Sequence, residues 1–271
     1  MTMKAIASRE NALFKALAKL ASSAAERRRR ALSVIEGAHL LEACLDAGHS
    51  PETVYVSRRA AETPEADRLL ARTGGATAIV LADALFEAVS SVESPTGIIA
   101  VLPTPAGRAV PADAPFCLAL EDLQDPGNVG TLLRSAAAAG VAHVLLSPGC
   151  AFAWSPKVLR AGQGAHFALN IVEGADLAAF LATFRGRSVA LAGEAQESLY
   201  ETDLHGPIAF LVGNEGAGLS AALARAAGVR VRIPMPGRAE SLNAGVAGSI
   251  ALFEAVRQRG SDASEDLWKR R

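Results

Sequence analysis

Three short segments in the second half of the sequence combine glycines with side chains that could contact a ligand. They begin at Asp125, Gly213 and Ile233 and read DPGNVGTLLRSAAAAG, GNEGAGLS and IPMPGRAESLNAG. Each follows an apolar run that predicts a buried strand, and open α/β sheets bind ligands beyond the carboxyl ends of their strands. We therefore expect the chemistry of this protein to lie in these segments.

The glycines of the second segment permit a close approach of the backbone to a ligand, but they match neither common phosphate loop. A P-loop has lysine after its last glycine, where this chain has Leu219. The dinucleotide fingerprint GxGxxG fails because the order here is GxxGxG. Glu215 adds a carboxylate to this bend, and a plain tight turn is the alternative interpretation.

The first and third segments each predict the start of a helix. Asn128 after a Pro-Gly turn is a good N-cap, Gly140 is a suitable left-handed C-terminal residue, and Arg134 falls in the second turn. A surface arginine is the plain alternative. Ser241 is predicted to cap the last helix, whose stripes of large and of small apolar residues predict two packed faces. The large stripe comprises Leu242, Val246, Ile250, Phe253 and Val256.

The elements that position these segments alternate between short apolar strands and helices, which predicts an α/β fold. Residues 103–115 hold four prolines and one glycine and predict a linker. We expect a smaller α/β domain at 1–102, a mostly parallel sheet domain at 116–260 and a polar tail at 261–271. The strands predicted for the sheet domain are Phe116–Leu120, His143–Leu146, Phe167–Ile171, Ser188–Leu191, Ile208–Val212 and Val229–Ile233.

Composition excludes several classes of protein. Half of the 271 residues are apolar and 20% are charged, which is typical of a folded chain, and the longest uncharged run is broken by glycine and proline. Neither a membrane span nor a secretory signal is expected, although an organellar leader stays open. Three scattered cysteines and five histidines show no disulfide or metal spacing, so we expect no metal and a cytoplasmic protein.

The amino terminus carries a local excess of positive charge. Residues 1–30 have a net charge of +6, whereas the whole chain has −1. Asn11–Ala25 is predicted as an amphipathic helix with a basic side. Clustered Lys and Arg favour binding to a polyanion, and a solvated helix face is the alternative. The predicted phosphate contacts are Lys15, Lys19, Arg27, Arg28, Arg29 and Arg30.

In this order, the three segments resemble the three motifs of SpoU-type members of the SPOUT superfamily, the RNA ribose 2′-O-methyltransferases. ENALFKAL from Glu10 and VIEGAHLLEA from Val34 are similar to the small RNA-binding domain that precedes many such enzymes. KVLRAGQGAHFALNI resembles the family's RAS-x-GA stretch, with Gly162 where serine is usual. Ala244 and Gly245 depart from the residues common after SLN, which concerns helix packing more than chemistry.

The resemblance implies a deep trefoil knot in the second domain, a homodimer, and S-adenosylmethionine as the methyl donor. By resemblance the catalytic arginine is Arg134, while Asn128, Ser241 and Asn243 position it and the ribose, and Glu215 fixes the loop or the arginine. The implied cofactor-binding residues are Val212, Gly213, Ile233, Met235 and Leu242.

The substrate expected by resemblance is ribosomal RNA, because a front RNA-binding domain is more typical of the ribosomal modifiers. A transfer RNA enzyme, an enzyme that methylates a base nitrogen, and a non-catalytic RNA-binding protein are the alternatives. The last would have lost Arg134 or the polar residues of the third motif, and this chain has all of them.

Overall fold

A computed structural model describes residues 3–260, and the predicted polar tail at 261–271 lies outside them. Numbered along the chain, the strands are β1 Lys4–Ile6, β2 Leu32–Glu36, β3 Thr53–Ser57, β4 Thr77–Leu81, β5 Ile98–Pro103, β6 Phe116–Leu120, β7 His143–Leu146, β8 Asn170–Val172, β9 Arg187–Leu191, β10 Glu197–Ser198, β11 Ile208–Val212 and β12 Val229–Arg232. The helices are α1 Ala12–Ser22, α2 Ala24–Arg30, α3 Ala38–Asp46, α4 Pro64–Arg72, α5 Asp83–Val89, α6 Pro126–Ala139, α7 Pro156–Gly162, α8 Leu177–Thr183, α9 Ala221–Ala226 and α10 Ala244–Gly260.

The chain divides into two compact units. Among the described residues, the first comprises residues 3–105 and Trp154–Phe167, and the second comprises Ala106–Ala153 and residues 168–260. The division falls inside the predicted linker, but Trp154–Phe167 lies with the first unit although the sequence places it within the second domain. Here α7 packs against β2, and the guanidinium of Arg160 donates to the backbone oxygen of Ser91 at 3.0 Å.

The first unit is built on a mixed five-stranded sheet in the order β1-β4-β3-β5-β2. Its start differs from the prediction, because the single helix over Asn11–Ala25 is two helices. Ser23 ends α1 in an extended conformation, and its side chain accepts a hydrogen bond from the Glu26 N–H to cap α2. A serine that can satisfy the first N–H groups of a new helix makes such a break favourable.

The second unit is built on a seven-stranded sheet in the order β10-β12-β9-β11-β6-β7-β8. All of its pairings are parallel, as the continuous apolar strands predict. One strand is shorter than expected: in place of Phe167–Ile171 there is a 3-10 helix at Ala165–Ala168 and then β8. The α/β class of both units is confirmed, and the knot stays a prediction.

Within this chain the last helix packs the smaller of its two apolar stripes, and the packing of the larger stripe stays a prediction. Gly248, Ala251 and Ala255 are buried, and α10 packs against α6 along this small-residue face. A Cβ on Gly248 would come within 2.4 Å of the Leu132 side chain, so glycine allows the close approach. The large apolar stripe faces outward, with Val246 46% and Phe253 47% exposed. In the described part of the chain, no helix is long and apolar enough to cross a membrane.

Candidate active site

The candidate active site lies at the carboxyl ends of β6 and β11, which are neighbours in the parallel sheet. Their register pairs Leu120 with Val212, so the two strands end at the same level. The first segment follows β6 and the second follows β11. Two segments far apart in sequence therefore begin side by side.

Asn128 is not the cap of α6, contrary to the prediction. Asp125 is the N-cap, and its carboxylate accepts from the Asn128 N–H at 2.8 Å. Pro126 occupies the first turn, where its missing N–H costs nothing. The helix therefore starts earlier, and Asn128 becomes a helical residue only 8% exposed. The predicted helix end at Gly140 is confirmed, with φ of +81°.

The side chain of Asn128 joins the three segments. Its Nδ2 donates to Oε1 of Glu215 at 3.1 Å, and its Oδ1 accepts from Nδ2 of Asn243 at 2.8 Å. Both halves of the amide are thus satisfied, as a buried polar group requires. The orientation of Asn128 is fixed by residues of the other two segments.

Glu215 collects hydrogen bonds from the first segment. Its carboxylate accepts from the N–H of Asp125 at 3.0 Å and from the N–H of Gln124 at 3.3 Å, in addition to the amide of Asn128. Burial raises the pKa of Glu215, but these donors outweigh burial and hold its pKa below the ordinary value. The carboxylate is therefore charged at neutral pH and ties the second segment to the first.

Asn243 begins α10, a role that the sequence assigns to Ser241. The Oδ1 of Asn243 accepts from the Val246 N–H at 3.1 Å, while its Nδ2 donates to Asn128. Ser241 is exposed and lies on the wall of a cleft. The predicted cap of α10 is therefore wrong by two residues: Asn243 caps the helix, and Ser241 does not.

Gly213 is required by the loop itself rather than by space for a ligand. A Cβ there would lie 2.2 Å from the backbone of Gly218 and of Leu219. The loop folds back on itself because Asn214 and Gly218 exchange backbone hydrogen bonds at 2.9 and 3.0 Å. The sequence predicts that this glycine makes space for a ligand, whereas the structure shows that it makes space for the backbone of its own loop. Gly213 also borders the cleft.

The cleft has a volume of about 340 Å³, within the range of small-molecule sites. Its wall includes every residue that the resemblance implies for the cofactor: Val212, Gly213, Ile233, Met235 and Leu242. Glu215 and Ser241 also line it, as do Glu194, Arg232 and Glu240, which sequence reasoning missed. Glu194 follows β9, which lies beside β11 in the sheet. A sequence argument that placed these two strands side by side would have predicted Glu194 at the cleft.

Arg134 is placed differently from the other predicted catalytic residues. It is exposed on α6 and is not among the residues that line the cleft. Six helical positions separate it from Asn128, so the two side chains leave α6 about 120° apart. Within residues 3–260, no hydrogen bond or ion pair of Arg134 is found. Its guanidinium is thus available to a bound molecule.

Among the basic residues of the first unit, Arg27 does not belong to the exposed group. It is 5% exposed, and its Nη1 donates to the backbone oxygens of Leu20 and Ala21 at 2.5 and 3.0 Å. These carbonyls belong to the last turn of α1, which leaves acceptors free. Burial, with the charge of Arg28 nearby, lowers the pKa of Arg27. The prediction that it contacts RNA is therefore replaced by a structural role.

The other predicted phosphate contacts are on the surface. Lys15 pairs with Glu10 at 2.5 Å, and Glu26 pairs with Lys19 at 3.5 Å and with Arg29 at 2.6 Å. Arg28 and Arg30 are exposed at the end of α2. The Lys15–Glu10 pair is exposed on both sides and therefore weak, so a polyanion can compete for Lys15, whereas Lys19 and Arg29 are exposed cations that share the buried Glu26. Among the described residues, no cluster of His, Cys, Asp or Glu could hold a metal ion.

An all-parallel sheet with such a cleft and hydrogen-bond network beyond its strand ends is typical of a ligand-binding α/β unit. Residues 115–253 match the sequence profile of the SpoU rRNA Methylase family, and residues 11–100 match an MRM3-like substrate binding domain. The chain therefore belongs to the SpoU rRNA methylase family, and the predicted methyltransferase class is confirmed.

Two curated relatives and one solved structure illustrate this membership. The chain is 33% identical to the 23S rRNA (guanosine(2553)-2′-O)-methyltransferase RlmP of Bacillus subtilis, over 93% of this chain and 98% of the relative. It is 42% identical to the 23S rRNA (guanosine-2′-O-)-methyltransferase RlmB of Xylella fastidiosa, over 52% of this chain and 58% of the relative. The AdoMet-bound rRNA methyltransferase from Sinorhizobium meliloti superposes on this chain with a TM-score of 0.85 at 28% sequence identity. The superposition covers 94% of this chain and 98% of that structure.

Proposed function

We propose that this protein transfers a methyl group from S-adenosylmethionine to a ribose 2′-hydroxyl of ribosomal RNA. The observation that carries the proposal is the hydrogen-bond chain from Glu215 through Asn128 to Asn243, which links all three family motifs beside one cleft. The relatives named for 2′-O-methylation of 23S rRNA support the substrate class.

The residues of the cleft suit this cofactor. Backbone groups of residues 213–218 can hydrogen-bond an adenine, and the apolar side chains of Val212, Ile233 and Leu242 can cover its faces. The charged carboxylates of Glu194 and Glu240 at the wall can attract a cationic sulfonium. When bound, S-adenosylmethionine supplies the electrophilic methyl group.

Arg134 has the chemistry to activate the acceptor. A ribose hydroxyl is a poor nucleophile at neutral pH and must be oriented as it loses its proton. An arginine remains charged and cannot accept the proton, so its role is to stabilise the developing alkoxide while the proton passes to water. Glu215, Asn128 and Asn243 hold the motif loops, and Ser241 on the cleft wall can hydrogen-bond the ribose.

RNA would be recruited partly by the first unit. Its exposed cations at Lys15, Lys19, Arg28, Arg29 and Arg30 can contact phosphates, and the match to a substrate binding domain supports this role. Aromatic residues make up only 5% of the chain, so charge and shape, rather than base stacking, would dominate recognition.

A homodimer and a cytoplasmic location complete the proposal. Val246 and Phe253 form an exposed apolar stripe on α10, and the exposed, cleft-lining Leu242 lies just before the helix; a second copy could cover this surface. Sedimentation of the wild type and of Phe253→Asp tests this: the variant should be a monomer, and a monomeric wild type rules the dimer out. The described cysteines are free thiols, consistent with a reducing compartment such as the cytoplasm.

Methyl transfer from labelled S-adenosylmethionine to RNA from cells lacking this protein tests the activity. Ribosomal and transfer RNA are separated after the reaction and digested to nucleosides. We expect label in 2′-O-methylnucleosides of ribosomal RNA. Label in transfer RNA would indicate a transfer RNA enzyme, and label on a base would indicate a base methyltransferase. RNA binding without methyl transfer would indicate a non-catalytic RNA-binding protein.

A further inference from the structure

Asp122 has an uncommon backbone conformation between β6 and α6. Its φ is +52°, in the left-handed region that residues with side chains rarely adopt and that aspartate and asparagine tolerate best. The other described non-glycine residues with positive φ, Ala31 and Gln163, both end helices. Left-handed residues are common there. Asp122 follows a strand, so another cause must hold it.

Ser147 holds Asp122 in this conformation. The Asp122 N–H donates to Oγ of Ser147 at 2.9 Å, and this Oγ donates to Oδ1 of Asp122 at 2.6 Å. Ser147 follows β7 directly, and its own N–H donates to Leu120 at 2.9 Å. Gly149 leaves room for the carboxylate, because a Cβ there would lie 2.2 Å from Oδ1 of Asp122. The turn is thus anchored to the end of β7.

The carbonyl of Asp122 connects this turn to the cleft. Nδ2 of Asn214 donates to the Asp122 oxygen at 2.8 Å. Oδ1 of Asn214 then accepts from the N–H groups of Gly216 and Ala217 at 2.9 and 3.0 Å. Asn214, Gly216 and Ala217 all line the cleft. The orientation of one peptide group therefore sets the shape of the cleft wall.

The same turn directs the peptides that follow. Leu123 is fully buried, and the N–H groups of Gln124 and Asp125 then point at the carboxylate of Glu215. A change of φ at Asp122 would rotate both donors away from Glu215, because each backbone dihedral redirects the chain after it.

We propose that Asp122 is a positioning residue for the cleft and acts through Asn214 and Glu215 without touching the ligand. The locked left-handed turn holds the loop of residues 213–218 in its binding shape before a ligand arrives. The inference rests on the proposed function only where it names S-adenosylmethionine as that ligand.

Asp122→Ala removes the carboxylate that accepts from Ser147 and the tolerance for positive φ, while the backbone N–H can still donate to Ser147. We expect the Kd for S-adenosylmethionine, measured by calorimetry, to rise about tenfold, while kcat at saturating cofactor changes by less than about twofold. Asp122→Asn keeps the acceptor and the backbone preference, so it should bind within about twofold of the wild type. Wild-type affinity in Asp122→Ala, or a lower Tm alone, overturns the proposal.

A second readout does not depend on the ligand. Amide hydrogen exchange of Gly216 and Ala217 should become at least about tenfold faster in Asp122→Ala and stay unchanged in Asp122→Asn, because these N–H groups depend on Asn214. Unchanged protection in Asp122→Ala contradicts the positioning role whatever the cleft binds. If exchange accelerates but the wild type does not bind S-adenosylmethionine, the proposed function fails and the positioning role stands.

Discussion

The side-chain amide of Asn128 donates a hydrogen bond to the carboxylate of Glu215 at 3.1 Å, joining residues 87 positions apart. The other end of this amide accepts from Asn243, 115 positions away. The buried side chain of Asn128 therefore uses its amide nitrogen as a donor to Glu215 and its amide oxygen as an acceptor from Asn243. Substitutions that preserve its size but remove the donor should expose this requirement.

Asn128→Asp is such a substitution. It would place a second carboxylate against Glu215, so we expect a loss of about 1–3 kcal/mol of unfolding free energy at pH 7. Protonation relieves repulsion between carboxylates, so the loss should be smaller at pH 4. Thermal denaturation at both pH values measures this. Ser135→Ala is the matched control, since it breaks a 2.7 Å bond between α6 and α10 without adding charge. Equal losses at both pH values in Asn128→Asp would contradict the arrangement.

Glu215→Gln addresses the carboxylate itself. The pKa of Glu215 in the folded protein is below the ordinary 4.5, so its stabilising contribution is present above that pH. It is lost as pH falls through the lowered pKa. We expect the Tm of the wild type to fall more steeply below pH 4.5 than the Tm of Glu215→Gln. The difference should be small, because the side chain is exposed. Parallel Tm curves from pH 7 to pH 3 would show that the network does not depend on this charge.

Local patterns in the sequence predict the strands and most helices well. The bounds of β6, β7 and β11 match the prediction because a continuous apolar run with polar residues or turns at its ends is a local signal. The sequence predicts Asn128 as the cap of α6 instead of Asp125, because Asp and Asn are equally good caps. The choice depends on Glu215 and Asn243, which hold the Asn128 side chain and are distant in sequence. The reason for Gly213 and the burial of Arg27 likewise depend on interactions that only the folded chain creates.

Gly213→Ala should disturb the cleft by deforming its loop. A Cβ would approach the backbone of Gly218 and Leu219 to 2.2 Å, so the loop must shift. We expect both a lower Tm and a weaker affinity for S-adenosylmethionine. Gly216→Ala is the control for folding, because its Cβ would meet only Oδ1 of Asn214, at 3.7 Å. A Gly213→Ala protein with wild-type Tm would contradict the close approach.

Arg27 should contribute to stability, whereas its exposed neighbours Arg28, Arg29 and Arg30 should contribute to RNA binding. Replacing Arg28, Arg29 and Arg30 by glutamine should weaken RNA binding and flatten its salt dependence, by about 0.7 in slope for each phosphate that is no longer neutralised. Arg27→Gln should instead lower the Tm, because it removes the donor to the Leu20 and Ala21 oxygens. RNA titrations at several salt concentrations and thermal scans test both. If the dependence of RNA affinity on salt is unchanged in the triple variant, these arginines do not contact RNA and form only a solvated helix face.

Arg134 is expected to act in catalysis and not in folding or cofactor binding. It is exposed on α6, and the cleft wall does not include it. Removing an exposed side chain of this kind rarely changes stability by more than about 0.5 kcal/mol. The residues that we propose for cofactor binding line the cleft and do not include Arg134, so its substitution should leave cofactor binding intact.

Arg134→Ala should therefore lower kcat for RNA methylation about 100-fold or more, the usual scale for removal of a charge-stabilising group, while Tm and the Kd for S-adenosylmethionine stay at wild-type values. Arg134→Lys should restore little, because lysine lacks the planar fork that can bridge a phosphate and a hydroxyl. Single-turnover methylation under saturating RNA and cofactor separates the chemical step from binding. A near wild-type rate in Arg134→Ala would make this residue a surface charge, and a weaker cofactor affinity would assign it to the cleft instead.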